Sequence, residues 1–285
     1  MRTLRTIDDM RAVLAEPRRS GERIGLVPTM GAFHAGHLSL IRRARGECNV
    51  VVVSLFVNPA QFNEAGDLAA YPRNERRDAE LAEPLGVDYL FAPTVQEMYP
   101  PDFATTVSVS GLSEVLEGAE RGRAHFDAVS TVVAKLLNIV GPGIAYFGQK
   151  DAQQALLLRR MVRDLAIPVR IVVCPTVREG DGLAMSSRNV RLSASERARA
   201  AALHRSLQAA RDAIRHGERD PAAARARAVA ELEAAGIEPD YLELVTPDRL
   251  APITRIDDAV LAVVAARVGE TRLIDSELIQ PNGRH

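Results

Sequence analysis

The stretch Val50-Val51-Val52-Val53-Ser54-Leu55-Phe56-Val57 is apolar at odd and even positions alike, with a single serine inside it. A strand with one face in water shows a polar residue at every second position. A run without them is covered on both faces, the environment of a parallel sheet in an α/β protein. The flanking segments follow the same plan. Residues 23–27 read as a strand and 36–45 as a helix; 49–57 is the doubly covered strand; 74–85 reads as a helix and 87–91 as a strand. A short strand is expected at 105–109. A helix over 126–140 is ended by Gly141-Pro142-Gly143, and strand 144–147, helix 152–165 and strand 169–174 follow. A first helix opens after Thr6, a plausible cap. Strands alternating with helices argue for a parallel sheet with helices on both faces.

Beyond residue 176 the alternation stops. Ser193-Ala194-Ser195-Glu196 is a capping box opening a helix to about His216, and Asp220-Pro221 opens another that Gly236 closes. Three strand-like segments follow at 241–245, 259–266 and 271–275. Helices and then strands predict a smaller α+β domain over 177–285, after an α/β domain over 1–176.

Charge excludes some functions. Lys plus Arg number 36 and Asp plus Glu 37, so no global field draws the chain to nucleic acid or to an anionic membrane surface. Arg197, Arg199, Arg205, Arg211 and Arg215 sit on helical segments without interleaved aromatics, and read as a solvated helix face rather than an RNA platform. The N-terminus has no apolar segment of signal-peptide type and no run is long enough to span a bilayer, so a cytoplasmic protein is expected. The 2 cysteines, Cys48 and Cys174, are in no ligand spacing; Cys174 lies in an apolar run and reads as a buried small hydrophobe.

Three stretches can carry chemistry. In "PTMGAFHAGH" (28–37) a strand runs into a turn and a helix start, where His34 and His37 lie on one side of the helix above its free backbone N–H groups. Gly31 and Gly36 let a ligand approach the backbone. Together these make an anion site with two extra donors. "YFGQKDAQQ" (146–154) puts Lys150 and Asp151 after a strand and before a helix, at the sheet edge where open α/β folds bind ligands. It is not a P-loop: Gln149 precedes the lysine and Asp151 stands where Ser or Thr is required. "MSSRN" (185–189) offers two hydroxyls and an arginine behind a glycine-rich loop, the parts of a phosphate clamp. No GxGxxG and no serine nucleophile elbow occurs.

In combination these motifs resemble one family. "PTMGAFHAGH" looks like the HIGH-type motif of the nucleotidyltransferase superfamily, and "MSSRN" like its KMSKS-type counterpart. With "SLFVNPAQF" (54–62), "YPR" (71–73), "LEGA" (116–119) and "FGQKDAQQ" (147–154), the chain resembles the pantoate-β-alanine ligases, in matching order from residue 24 to the end of MSSRN. The resemblance implies a Rossmann-like N-terminal domain, a smaller C-terminal lid and a homodimer. It implies three substrates: pantoate and MgATP give pantoyl adenylate and pyrophosphate, and β-alanine then displaces AMP.

Carried over by motif, His34, His37 and Lys150 are the expected catalytic residues. His34 and His37 would face the ATP phosphates, with Lys150, Ser186, Ser187 and Arg188 completing the clamp. Gly148 and Asp151 would hold the ribose, with Met185 and Val177 by the adenine and Met30 near the nucleotide as well. Gln61 and Gln154 would hydrogen-bond pantoate, Pro28 and Met30 pack against it, and Asn58 and His125 complete its pocket. Asp78 matches an acidic position associated with magnesium. One segment departs from the family pattern: R-P-G-H-F becomes Arg121-Gly122-Arg123-Ala124-His125-Phe126, one residue longer, with Arg121 and Arg123 both available for the arginine.

Overall fold

In the computed structural model, which describes residues 1–63 and 65–282, Val51, Val52, Val53 and Ser54 are each wholly enclosed. They belong to the first of two compact units, Met1–Gly148 with Gln154–Cys174 and Gln149–Gln153 with Pro175–His285.

The first unit begins with β1 (Arg2–Leu4), α1 (Ile7–Arg19), β2 (Ile24–Thr29), α2 (Ala35–Glu47) and β3 (Val50–Leu55). The short helices α3 (Ala65–Ala70) and α4 (Glu75–Ala82) lead to β4 (Tyr89–Phe91), then α5 (Val95–Met98) and α6 (Glu117–Arg121). The long helix α7 (Arg123–Val140), β5 (Ile144–Gly148), α8 (Ala152–Asp164) and β6 (Arg170–Cys174) complete it. All six strands run parallel in the order β1-β4-β3-β2-β5-β6. The sheet is therefore doubly wound, and its winding reverses between β2 and β5. Folds of this kind bind ligands beyond the carboxyl ends of the strands at such a reversal.

Both faces of the sheet are covered. Val27, Val51 and Val53 pack with Leu40, Ile41 and Ala44 of α2, while Leu26 and Val52, which leave on the opposite face, are also fully buried and α7 packs against β2 and α1. Burying one such valine or leucine is worth about 2 kcal/mol. The uninterrupted apolar run at 50–53 follows from this double cover.

The second unit has its own core. Three strands, β7 (Pro239–Val245), β8 (Val260–Val268) and β9 (Thr271–Ile279), pair antiparallel in that order. The helices are α9 (Ala194–Ala200), α10 (Ala202–Arg215) and α11 (Pro221–Ala234). Leu203, Leu207 and Ile214 of α10 meet Leu232, Leu242 and Val264 inside it. The chain is thus a doubly wound parallel α/β fold followed by a small α+β sheet, as its pattern implies. Among the described residues no helix is long and apolar enough to cross a membrane.

Several local expectations hold for the stated reasons. Thr6 accepts from Asp9 N–H at 3.1 Å, Ser193 and Glu196 form the capping box, and Asp220 caps α11 through Ala222 N–H at 2.9 Å. Others fail. Residues 105–109 form no strand: Val107 N–H donates to the Thr131 hydroxyl of α7 at 2.9 Å, so a side chain takes the place of a strand partner. The helix expected from 194 to 216 is broken at Ala201 into α9 and α10. Strand β1 has only Leu4 buried, too little pattern to see in advance.

Candidate active site

The loop from β2 to α2 is built around two left-handed residues, Gly31 at φ +83° and Ala32 at φ +54°. For alanine this conformation costs on the order of 1 kcal/mol. Asp78, from α4, holds it in place: one carboxylate oxygen accepts from Ala32 N–H at 2.8 Å and the other from Phe33 N–H at 2.7 Å. Thr29 fastens the loop's start, donating from its hydroxyl to Ser54 O at 2.6 Å and accepting from Gly31 N–H at 3.2 Å.

The loop delivers His34 and His37 to the N-terminus of α2. His34 Nδ1 accepts from Gly36 N–H at 3.2 Å, and His37 Nδ1 accepts from His34 N–H at 3.4 Å, a reciprocal cap made of two imidazoles. The ring centroids are 4.2 Å apart. A nitrogen that accepts a backbone N–H carries no proton, so each neutral ring holds its proton on Nε2. The two rings stand at the N-terminus of a 13-residue helix, an end suited to phosphate oxygens.

Asp78 is a different residue from the one the sequence suggested. Its side chain is 1% exposed, both oxygens are taken by backbone N–H groups, and burial pushes its carboxyl above the usual range despite those donors. Among the described residues no cluster of three or more His, Cys, Asp or Glu could hold a metal. A magnesium ligand at Asp78 does not fit this environment; the carboxylate braces the histidine loop instead.

Four of the residues expected to hold pantoate lie together. Gln61 Nε2 is 2.9 Å from Met30 Sδ, and Asn58 Nδ2 donates to Gln61 Oε1 at 3.2 Å. His125 Nδ1 is 2.8 Å from Gln61 O. Asn58 is 1% exposed, and its side chain also caps the turn Pro59–Gln61 that carries Gln61. Pro28 sits one residue from the end of β2, paired with Ser54. Gln154 stands in the first turn of α8. In the Arg121 to His125 segment, Arg121 Nη1 is 3.4 Å from His125 Nε2, whereas Arg123 faces Ser108, Glu114 and Asp127. Sequence spacing alone could not separate the two, because only the start of α7 at Arg123 fixes which way each points.

Gly148 ends β5. In the second unit, Lys150 and Asp151 occupy the single turn Gln149–Asp151, their charges 3.4 Å apart. Residues 177–185 form a tight hairpin: Met185 N–H donates to Val177 O at 2.9 Å, and Arg178 bridges Ala184. Ser186 then caps the turn Ser187–Arg191 through Arg188 N–H at 3.2 Å, so Ser187 and Arg188 start a short helical turn. The arginine-rich helices make internal contacts: Arg197 pairs with Glu179 and Asp181, Arg205 with Glu231 and Arg211 with Glu277, while Arg199 donates to the carbonyls of Ala235 and Gly236.

A doubly wound parallel sheet with a paired-histidine cap on the helix that follows β2 defines an α/β protein of the class that binds its ligands at the carboxyl edge of the sheet. The chain belongs to the pantoate-beta-alanine ligase family, whose model matches residues 2–278. It is 54% identical over 274 residues to a pantothenate synthetase of Cereibacter sphaeroides, covering 96% of this chain and 98% of that one. A pantothenate synthetase structure from Thermus thermophilus superposes with a TM-score of 0.94 at 48% identity, over 99% of this chain and 100% of the other. A pantoate-beta-alanine ligase from Francisella tularensis, complexed with beta-gamma ATP and beta-alanine, gives 0.80 at 33% identity, over 98% and 97%.

Proposed function

We propose that this chain joins pantoate to β-alanine, using ATP and passing through pantoyl adenylate. A pantoate carboxylate oxygen attacks the α-phosphorus of ATP as the bond to the β-phosphate breaks, releasing pyrophosphate. The β-alanine amine then attacks the acyl carbon; AMP leaves, the amine loses a proton, and pantothenate is formed. The chain needs no nucleophile of its own, which agrees with the lack of a serine elbow.

The observation that carries this reading is the pair of histidines capping the N-terminus of α2, each with Nδ1 turned to a backbone N–H. It occurs in a chain 33% identical along nearly all its length to a ligase complexed with beta-gamma ATP and beta-alanine. His34 and His37 donate to phosphate oxygens without neutralising a carboxylate nucleophile. Lys150, Ser186, Ser187 and Arg188 add positive charge and donors for the departing pyrophosphate. Each fixed donor in a water-excluded site is worth on the order of 3 kcal/mol in the transition state. Gly148 and Asp151 take the ribose, and Val177, Met185 and Met30 border the nucleotide. Gln61 and Gln154 orient pantoate against Pro28 and Met30, with Asn58 and His125 fixing Gln61 and Arg121 beside His125.

Magnesium brought in with ATP would add positive charge at the phosphates, beside Lys150 and Arg188. In this reading the first unit recognises pantoate, the second unit, which includes the turn bearing Lys150 as well as the residues after Cys174, carries the phosphate clamp as a lid domain, and the enzyme is a cytoplasmic homodimer. Incubation with ATP, magnesium, pantoate and β-alanine is expected to give pantothenate and AMP in equal amounts. ADP in place of AMP, or turnover without pantoate, would refute it.

A further inference from the structure

The second unit contains two segments that the proposed reaction uses: the turn with Lys150, and the hairpin that leads into Ser186, Ser187 and Arg188. Each is short. Both are fastened to adjacent residues of β9, Asp275 and Ser276, which are 2% and 3% exposed.

Ser276 donates its hydroxyl to Gln149 O at 2.8 Å, the carbonyl immediately before Lys150. Asp275 receives Arg178 in a two-point ion pair, Nη1 to Oδ2 at 2.5 Å and Nη2 to Oδ1 at 3.1 Å. The same guanidinium donates to Gly182 O at 3.1 Å, closing the hairpin across its own turn. Gly182 is at φ +91°, and a Cβ there would come 2.5 Å from His204 Cδ2, so the turn has no room to relax on that side. From the hairpin the fastening continues: Asn189 donates to Glu179 at 2.7 Å and to Ala184 O at 3.1 Å, and Arg197 grips Glu179 from α9 at 2.8 Å. Successive side chains of a strand diverge, so one dipeptide can hold two separate segments.

We propose that Asp275-Ser276 is the positioning element of the phosphate clamp, Ser276 setting the turn that bears Lys150 and Asp275 setting, through Arg178, the loop that bears Ser186, Ser187 and Arg188. The inference rests on the ligase reading above. Neither residue touches the reacting atoms in this assignment; each acts through a backbone it holds, and misplacing a donor by about 1 Å costs up to 100-fold in rate.

The test is pantoate-dependent exchange of pyrophosphate into ATP, run first on the unaltered protein. Absence of exchange there refutes the ligase reading itself, whereas the comparisons that follow bear on positioning alone. Ser276→Ala is expected to lower kcat for exchange about ten-fold with half-saturating pantoate unchanged and Tm within a few degrees, and Ser276→Thr to restore it. On a Lys150→Ala background, followed with more enzyme, the same Ser276→Ala change is expected to cost less than about two-fold, because residues that act as one unit are not additive. Asp275→Asn is expected to show the same dependence on Arg188, large alone and small beside Arg188→Ala. Should Asp275→Asn fail to fold, the Ser276 cycle decides. Equal losses on both backgrounds, or wild-type kcat in Ser276→Ala, would overturn the proposal.

Discussion

Asp78→Asn separates bracing from metal binding. The carboxylate accepts Ala32 N–H at 2.8 Å and Phe33 N–H at 2.7 Å while 1% exposed. An asparagine offers one oxygen and one amide NH₂, so one of those N–H groups loses its acceptor and faces a donor. A hydrogen bond to a charged acceptor is worth about 1.5–3 kcal/mol, and an unsatisfied buried donor costs about 1–3. Relief from burying the charge, which pushes this carboxyl upward, offsets part of that. A net loss of about 2 kcal/mol is expected, roughly 4–8 °C in Tm for a domain of this size. The loop it releases includes Ala32 in a left-handed conformation, so His34 and His37 lose their placement and adenylation slows about 100-fold. The assays are urea or thermal denaturation and a magnesium titration of exchange. The variant is expected to be less stable and slow, with the same half-saturating magnesium as the parent. Unchanged stability, with activity restored by raising magnesium, would refute the reasoning and return Asp78 to the metal.

Gly118→Ala is expected to destabilise by about 3 kcal/mol or more, because the added Cβ would run into the Ser113 carbonyl oxygen, a backbone atom that cannot turn away; an unchanged urea midpoint would contradict it. Burial, and then Arg178, hold His204 below the ordinary imidazole value, beside Asp275, Glu277 and Arg211. The fold thus favours the neutral ring. Its contribution is complete above the unfolded value of about 6.5 and is lost as pH falls from there through the lower folded value, because the unfolded chain takes the proton first. Urea midpoints between pH 8 and pH 5.5 should fall less steeply in His204→Gln, and an identical slope would exclude this source.

The sequence revealed most where one local rule decides the outcome. The apolar run at 50–53 demanded a doubly covered strand, and Thr6, Ser193 and Asp220 announced their helices because a cap acts within three residues. Residues 105–109 looked like a strand, but the acceptor for Val107 N–H comes from α7, which no local pattern reveals. Asp78 was tied to magnesium through its match to an acidic family position, and its bracing role was hidden because its partners, Ala32 and Phe33, lie far away in sequence. Asp275 and Ser276 carried no motif, since their work is to hold Arg178 and Gln149 across the unit. Residue types suited to phosphate were legible in His34, His37 and Lys150; the tautomers were not, because they follow from backbone N–H groups that only the fold places.

In the proposed reaction a carboxylate attacks the α-phosphorus of ATP. Exchange of labelled pyrophosphate into ATP, with magnesium and pantoate present and β-alanine withheld, tests it directly. Exchange that requires pantoate, and that falls about 100-fold or more in folded His37→Ala, is the expected result. Exchange without pantoate, or none from the folded parent protein, would contradict the account.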